Sequence, residues 1–364
     1  MKPDRERLQA EGMLRLLLED ADPAETVRRI GWERLAPLAR RHGVLLRVAD
    51  QLASAGHIGP ISFRDAVQQE RDRVRSSLSL IERVSWACEK HGVGFLFPKA
   101  FQHLPDIGND LDLLIVSDDP PADTELFRAA GIRARRRARN GLTRATSYET
   151  DCCDSLLDVQ HGRLGRMGED AGFARIILAG ARRRIIEGME VRVLSPEHQL
   201  LLQGMQRIFG RADVRLSDLV YTITSLRRDR LDWGQILETA ATFQILAGLA
   251  CYLTYVDQVQ REVLAGPPLE LPAALRADPH RWGRLEFRGS SYRFPAVRVN
   301  GALYVAKLRA DVREHNWAGA GRLCLAPAVA AASLTRRVLN LAVRYVGPRD
   351  EPRPLAARHL NSLS

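Results

Sequence analysis

The stretch Phe95-Leu-Phe-Pro-Lys99-Ala100-Phe-Gln-His-Leu-Pro-Asp-Ile-Gly-Asn-Asp110-Leu-Asp112-Leu-Leu-Ile-Val116 decides how the rest of the chain is read. It places two carboxylates at the head of an apolar strand. Alternate side chains of a strand share a face, so Asp110 and Asp112 point one way while Leu111, Leu113 and Ile115 point into the opposite layer. At roughly 7 Å and an effective dielectric near 20, two such anions repel by about 2 kcal/mol, and a divalent cation between them reverses the sign. The spacing alone is weak, because Asp20-Ala21-Asp22 shares it in what reads as a helix-breaking turn. Context strengthens it: a short apolar strand and Lys99 lie upstream, and a third acid, Asp158, sits in a second apolar segment, Ser155-Leu-Leu-Asp158-Val159. Three acids on adjacent strands suit metal-assisted phosphoryl chemistry.

Around this centre the chain divides into four stretches. Residues 1–92 read as an N-terminal helical region, with apolar pairs at helical spacing between Glu25 and Val48. Ser62 is placed to cap a long helix to Lys90, and Trp32 and Trp86 serve as core anchors. Residues 93–194 switch towards strand periodicity and form the core. Asp118-Asp-Pro-Pro121 starts a helix ending near Gly131, a period-two strand follows from Ile132, and Asn140-Gly141 marks a hairpin turn. Residues 195–347 return to helices from Ser195-Pro196-Glu197 onward: Leu200 to Phe209, Arg215 to Leu226, Trp233 to Thr242 and Ala247 to Leu264. Strand-like pieces are expected at Tyr292 to Val299 and Ala302 to Lys307, and a last amphipathic helix from Ala328 to Val346. Residues 348–364 read as a loose tail. The expected fold is α+β, a small mixed sheet flanked by N-terminal and C-terminal helical regions.

Composition narrows the classes. The 364 residues are 45% hydrophobic and 27% charged, as in a folded protein with substantial cores. The charged start Met1-Lys-Pro-Asp-Arg-Glu-Arg7 carries no secretory signal, and the apolar run Ile245 to Val256 is too short for a bilayer, which places the protein in the cytosol with no membrane partner. Five cysteines without ligand spacing read as buried free thiols rather than a disulfide or zinc framework. A net charge of +10 favours polyanionic partners such as nucleotides or RNA. Arg133, Arg135, Arg137 and Arg139 share one strand face, either a phosphate track or a solvated edge guarded by charge, with the second reading slightly favoured.

Phe97-Pro-Lys99-Ala100, Asn109-Asp110-Leu-Asp112-Leu-Leu-Ile115 and Leu157-Asp158-Val159 together resemble the nucleotidyltransferase superfamily, the polymerase-beta-like fold, and most closely its bacterial branch of uncharacterised nucleotidyltransferases. Leu194-Ser-Pro-Glu-His-Gln-Leu200, Arg215-Leu-Ser-Asp218-Leu and Leu231-Asp-Trp233 resemble its downstream part, so the likeness runs from about Trp32 into the C-terminal region. Three positions depart from the pattern. Ala100 stands where glycine is usual, an arginine shortly before the acidic pair is missing, and Gln160 replaces a histidine, with His161 one place on and so on the other strand face.

The resemblance implies that Asp110, Asp112 and Asp158 are catalytic and hold Mg²⁺, with Mn²⁺ as a substitute. Lys99 and Ala100 then meet the phosphates of a nucleoside triphosphate co-substrate. The implied reaction moves a nucleoside monophosphate to a hydroxyl or amine acceptor, with release of pyrophosphate. That acceptor is an unidentified small molecule; the alternatives are an RNA- or tRNA-modifying, toxin-like enzyme and a non-catalytic nucleotide-sensing or RNA-binding module.

Overall fold

The computed structural model describes residues 2–325 apart from 19–20, 141–144, 165–170, 212, 277–278 and 289–290. Residues Met1–Lys307 form one compact unit, and a second begins at Leu308. The Asn140-Gly141 turn, the expected helix from Ala328 and the tail lie outside the described residues, wholly or at the residues that matter.

Five helices come first: α1 (Lys2–Leu18), α2 (Pro23–Ile30), α3 (Trp32–Arg41), α4 (Leu45–Ser54) and α5 (Ile61–Lys90). Asp22 caps α2 by accepting from the Ala24 amide at 2.9 Å, with Pro23 preset for the first turn. The chain leaves α2 at Gly31, whose φ of 81° a side chain would strain. The thirty-residue α5 buries Phe63, Val67, Val74, Leu78, Ile81, Val84 and Ala87 along one stripe. It begins at Ile61, behind Pro60, so Ser62 is already inside the helix rather than its cap. Trp32 packs edge-on to Phe63 at 5.0 Å, as expected of an anchor. Trp86 is not one: it is 53% exposed, with Lys90 over its ring.

The central sheet has the order β1-β2-β5-β4-β3, where β1 is Gly94–Leu96, β2 Asp110–Val116, β3 Ala134–Asn140, β4 Ala145–Thr150 and β5 Cys153–His161. Only the β2–β5 pair is parallel. Leu111, Leu113, Ile115, Leu157 and Val159 are all at most 1% exposed, which fixes the register, since a one-residue slip would turn them out and the acids in. Between β2 and β3 runs α6 (Asp123–Ala129); α7 (Ala171–Ala179) packs against β1 and β2. A Cβ on Gly94 would lie 2.7 Å from Leu178 Cδ2 and 2.9 Å from the Val116 carbonyl, so glycine permits that close approach. A hairpin of β6 (Arg182–Ile186) and β7 (Met189–Val193) leads to the downstream helices.

These are α8 (Pro196–Met205), α9 (Leu216–Arg228), α10 (Trp233–Thr242) and α11 (Leu246–Glu262). Ser195 caps α8 by accepting from the His198 amide. The expected helix to Phe209 instead changes to a π turn at Gln206–Gly210, followed by β8 (Asp213–Val214). After the short α12 (Pro279–Trp282), β9 (Glu286–Arg288) and β10 (Ser291–Arg293) complete a second sheet, ordered β8-β10-β9. The expected strand at Ala302 to Lys307 is helical, part of α13 (Ala296–Arg313). Val299, Leu303 and Lys307, four apart, are its buried stripe. In the second unit, Asn316 caps α14 (Trp317–Cys324) and donates to Asp311 at 2.9 Å.

Candidate active site

The parallel register sets Asp112 beside Asp158 and Asp110 beside Leu156. Paired residues of neighbouring strands are only about 5 Å apart. The acids therefore meet on one face although 46 positions separate Asp112 from Asp158. Lys99, on the turn after β1, donates to Asp112 Oδ2 at 2.6 Å, and Gln160, two places beyond Asp158, donates to Oδ1 at 3.0 Å. Both Asp112 oxygens are thus engaged. Asp158 is 9% exposed, receives a hydrogen bond from the Ser147 hydroxyl, and leaves Oδ1 buried without a partner.

The electrostatics follow from this crowding. Burial first, then repulsion by Asp112 and Asp110, pushes Asp158 up to about 6, against the pull of Ser147 and Lys99. Burial and then Asp112 raise Asp110 too, while Arg211, Lys99 and Arg215 pull it down. Two carboxylates are therefore costly to ionise where they sit. A hard divalent cation fits this donor set, because it removes the repulsion and satisfies the orphaned Asp158 oxygen. Among the described residues no three His, Cys, Asp or Glu side chains are gathered as a ready metal cage. Asp112 carries one hydrogen bond on each oxygen, which leaves a lone pair on each for a cation.

Ala100 packs its methyl group into the core at 5% exposure, so only its backbone is available to a ligand. His161 lies on the other face, as the one-residue offset requires: its Nε2 is 2.8 Å from Asp123 Oδ1, and Tyr148 donates to Asp123 Oδ2 at 2.6 Å. This ties α6 to the sheet and has no part beside Asp112.

The loop between Lys99 and Asp110 is clamped from four helices. Asp106, 1% exposed, accepts from the Leu46 and Arg47 amides of α4 and from Arg47 Nε at 3.0 Å. Arg73 of α5 donates to the Ile107 and Gly108 carbonyls at 2.6 and 2.9 Å and pairs with buried Glu70. No arginine stands shortly before the acidic pair in sequence, yet Arg73 reaches that loop from α5. His103 lies 3.7 Å from Asp218 of α9, and Gln102 bonds Gln199 and Gln203 of α8. Asp218 is fully buried, with Arg207 Nη2 donating to Oδ1 at 2.8 Å and Nε 2.7 Å from Oδ2. Burial works against its charge, but Arg207 and His103 outweigh it and hold it low.

Sequence reasoning did not find Gln160's hold on Asp112, Arg73's hold on the acid loop, or Arg207's hold on Asp218. The i,i+3 pair Glu70 and Arg73 was a usable signal. The arginine strand is a charged edge: Arg135 and Arg137 both pair with Glu149, at 71% and 40% exposure. The five cysteines are free, but only Cys88 and Cys251 are buried; Cys152 and Cys153 are half-buried and Cys324 is exposed.

A family model described as uncharacterised nucleotidyltransferase matches residues 28–260. The chain belongs to that nucleotidyltransferase family. The matched span holds Lys99, Asp110, Asp112, Asp158, Arg207 and Asp218, so the whole site lies inside it. No curated protein matches the chain. Among the described residues no helix is long and apolar enough to cross a membrane.

Proposed function

We propose that this nucleotidyltransferase moves a nucleoside monophosphate from a nucleoside triphosphate to a hydroxyl or amine of a small-molecule acceptor in the cytosol, using Mg²⁺ or Mn²⁺. The observation that carries this reading is the in-register pair Asp112 and Asp158 on parallel strands, with Lys99 on one acid and an unpartnered oxygen on the other. Asp110, Asp112 and Asp158 would hold the metal, which when bound neutralises charge on the phosphates. Asp158 would also take the acceptor's proton, through lone pairs that the metal leaves open. The acceptor atom bonds to the α-phosphorus as the bond from that phosphorus to its bridging oxygen breaks. The electron pair leaves with pyrophosphate, and the acceptor proton passes to Asp158. Lys99, displaced from Asp112, lies beside the departing phosphates and offsets their charge.

The test is incubation with Mg²⁺ and each α-labelled nucleoside triphosphate, with a small-metabolite mixture or total tRNA, scoring pyrophosphate and labelled product. Transfer is expected with the metabolites, to be lost with a chelator, and to fall at least about a hundredfold in Asp112→Asn, near 3 kcal/mol of transition-state stabilisation. Label on tRNA alone would make RNA the acceptor. Nucleotide binding without turnover, untouched by Asp112→Asn, would support a nucleotide-sensing module instead.

A further inference from the structure

The parallel ladder between β2 and β5 begins at Asp110 beside Leu156, so the acids stand at its upstream end, where backbone pairing stops holding the two chains together. Arg73 of α5 reaches both chains there. Its Nη2 donates to the Ile107 carbonyl at 2.6 Å and its Nη1 to the Gly108 carbonyl at 2.9 Å, three and two residues before Asp110. Nη1 also donates to the buried Ser155 hydroxyl at 3.2 Å, three residues before Asp158. One turn further along α5, the buried Ser77 hydroxyl lies 3.1 Å from that of Ser155. One helix face thus grips the loop that leads into Asp110 and the strand that leads to Asp158.

The charge of this guanidinium is already answered. Buried Glu70, one turn before it, pairs with Arg73 through Nε at 3.1 Å and through Nη2, and Arg40 Nε lies 3.4 Å from the other Glu70 oxygen. All three Arg73 nitrogens are therefore committed to the protein, and what the side chain supplies is geometry. A planar guanidinium holds the groups bonded to it at fixed separations, whereas an ammonium is a point charge on a flexible stem.

We infer that Arg73 is a positioning residue, which sets the gap between the acids of β2 and Asp158 of β5 for a divalent cation held between them. This rests on the nucleotidyltransferase reading of the same site. Such a cation tolerates little error, because Mg²⁺ requires its oxygens at about 2.0–2.1 Å in near-octahedral array.

The test is calorimetric titration of Mg²⁺ into the metal-free full chain, with transfer kinetics at saturating Mg²⁺, for wild type, Arg73→Lys and Ser155→Ala. Arg73→Lys keeps the charge beside Glu70 but cannot reach three oxygens at once. Ser155→Ala removes only the β5 arm of the clamp and leaves Arg73 on Glu70 and on the loop. Mg²⁺ affinity is expected to fall about tenfold or more in Arg73→Lys and about threefold in Ser155→Ala, with kcat falling in the same order and nucleotide KM staying within about threefold of wild type. Should Arg73→Lys fail to fold, Ser155→Ala decides the matter. Variants that melt at lower temperature yet keep the Mg²⁺ affinity and kcat of wild type would make the clamp merely structural and overturn the inference. Mg²⁺ affinity that falls along the series in a chain transferring no nucleotide would overturn only the transferase reading, whereas transfer that survives unchanged in both variants, with Mg²⁺ affinity intact, would overturn only this inference. A wild type that takes up no Mg²⁺ would overturn both.

Discussion

Asp158 and Asp218 are both buried aspartates, at 9% and 0% exposure, yet the structure treats them in opposite ways. Asp218 meets a two-point arginine contact and a backbone amide, and it stays ionised despite complete burial. Asp158 has one oxygen without a partner and two acids nearby, and its carboxyl is pushed up to about 6. Asp106 lies between them: burial raises it, but its oxygens are bonded to α4. Depth alone does not mark a functional acid. An unanswered oxygen among like charges points to one, because a proton or an added cation resolves it, whereas a fully bonded acid is already part of the scaffold.

The largest effect should come from breaking the satisfied acid. Asp218→Asn leaves Arg207 charged and buried without its counter-ion, and stability in urea should fall by about 3–5 kcal/mol. A loss below about 1 kcal/mol would mean that the pair is not what holds α9 to the π turn. The unsatisfied acid should respond with the opposite sign. Its raised folded pKa means that the proton is held more tightly in the native state, so ionisation at pH 8 works against folding. Asp158→Asn should therefore stabilise the metal-free protein at pH 8 by about 1–3 kcal/mol, with the gain shrinking as the pH drops below 6.

The difference between these acids explains what the sequence could and could not reveal. Asp110 and Asp112 were legible because period-two alternation around Leu111 and Leu113 is local, and Asp158 because its segment carries the same alternation. The helical beginning, the mixed sheet and the Ser195 cap were legible for the same reason. Partners were not. Gln160 reaches Asp112 only through the parallel register of two strands separated by a crossover, and Arg73 reaches the acid loop only because α5 lies beneath it. Arg207 reaches Asp218 from a π turn that breaks the helical period, and Trp86, apolar by type, faces outward on a helix whose buried stripe lies elsewhere. At Ala302 to Lys307 a short apolar run read as a strand is the buried side of a helix that begins after Pro295.

A smaller effect sharpens the contrast from the histidine side. Burial, set against the pull of Asp218, lowers His103 to about 3. The unfolded chain then takes up a proton below about pH 6.5 that the native state refuses, so this contribution to stability is full above that pH and is lost as the pH falls towards 3. Between pH 7 and 5 the wild type should lose about 2 kcal/mol more than His103→Gln. Equal losses would show that His103 becomes charged within its pocket.

The most direct measurement is the melting temperature at pH 8 with and without Mg²⁺, for wild type and Asp158→Asn. If Asp158 and its neighbours are unsatisfied because they await a cation, Mg²⁺ should raise the wild-type melting temperature by several degrees, and Asp158→Asn, already relieved of the charge, should respond by less than about one degree. A wild type indifferent to Mg²⁺, or an equal rise in both proteins, would contradict the reading of this acid cluster as a metal site.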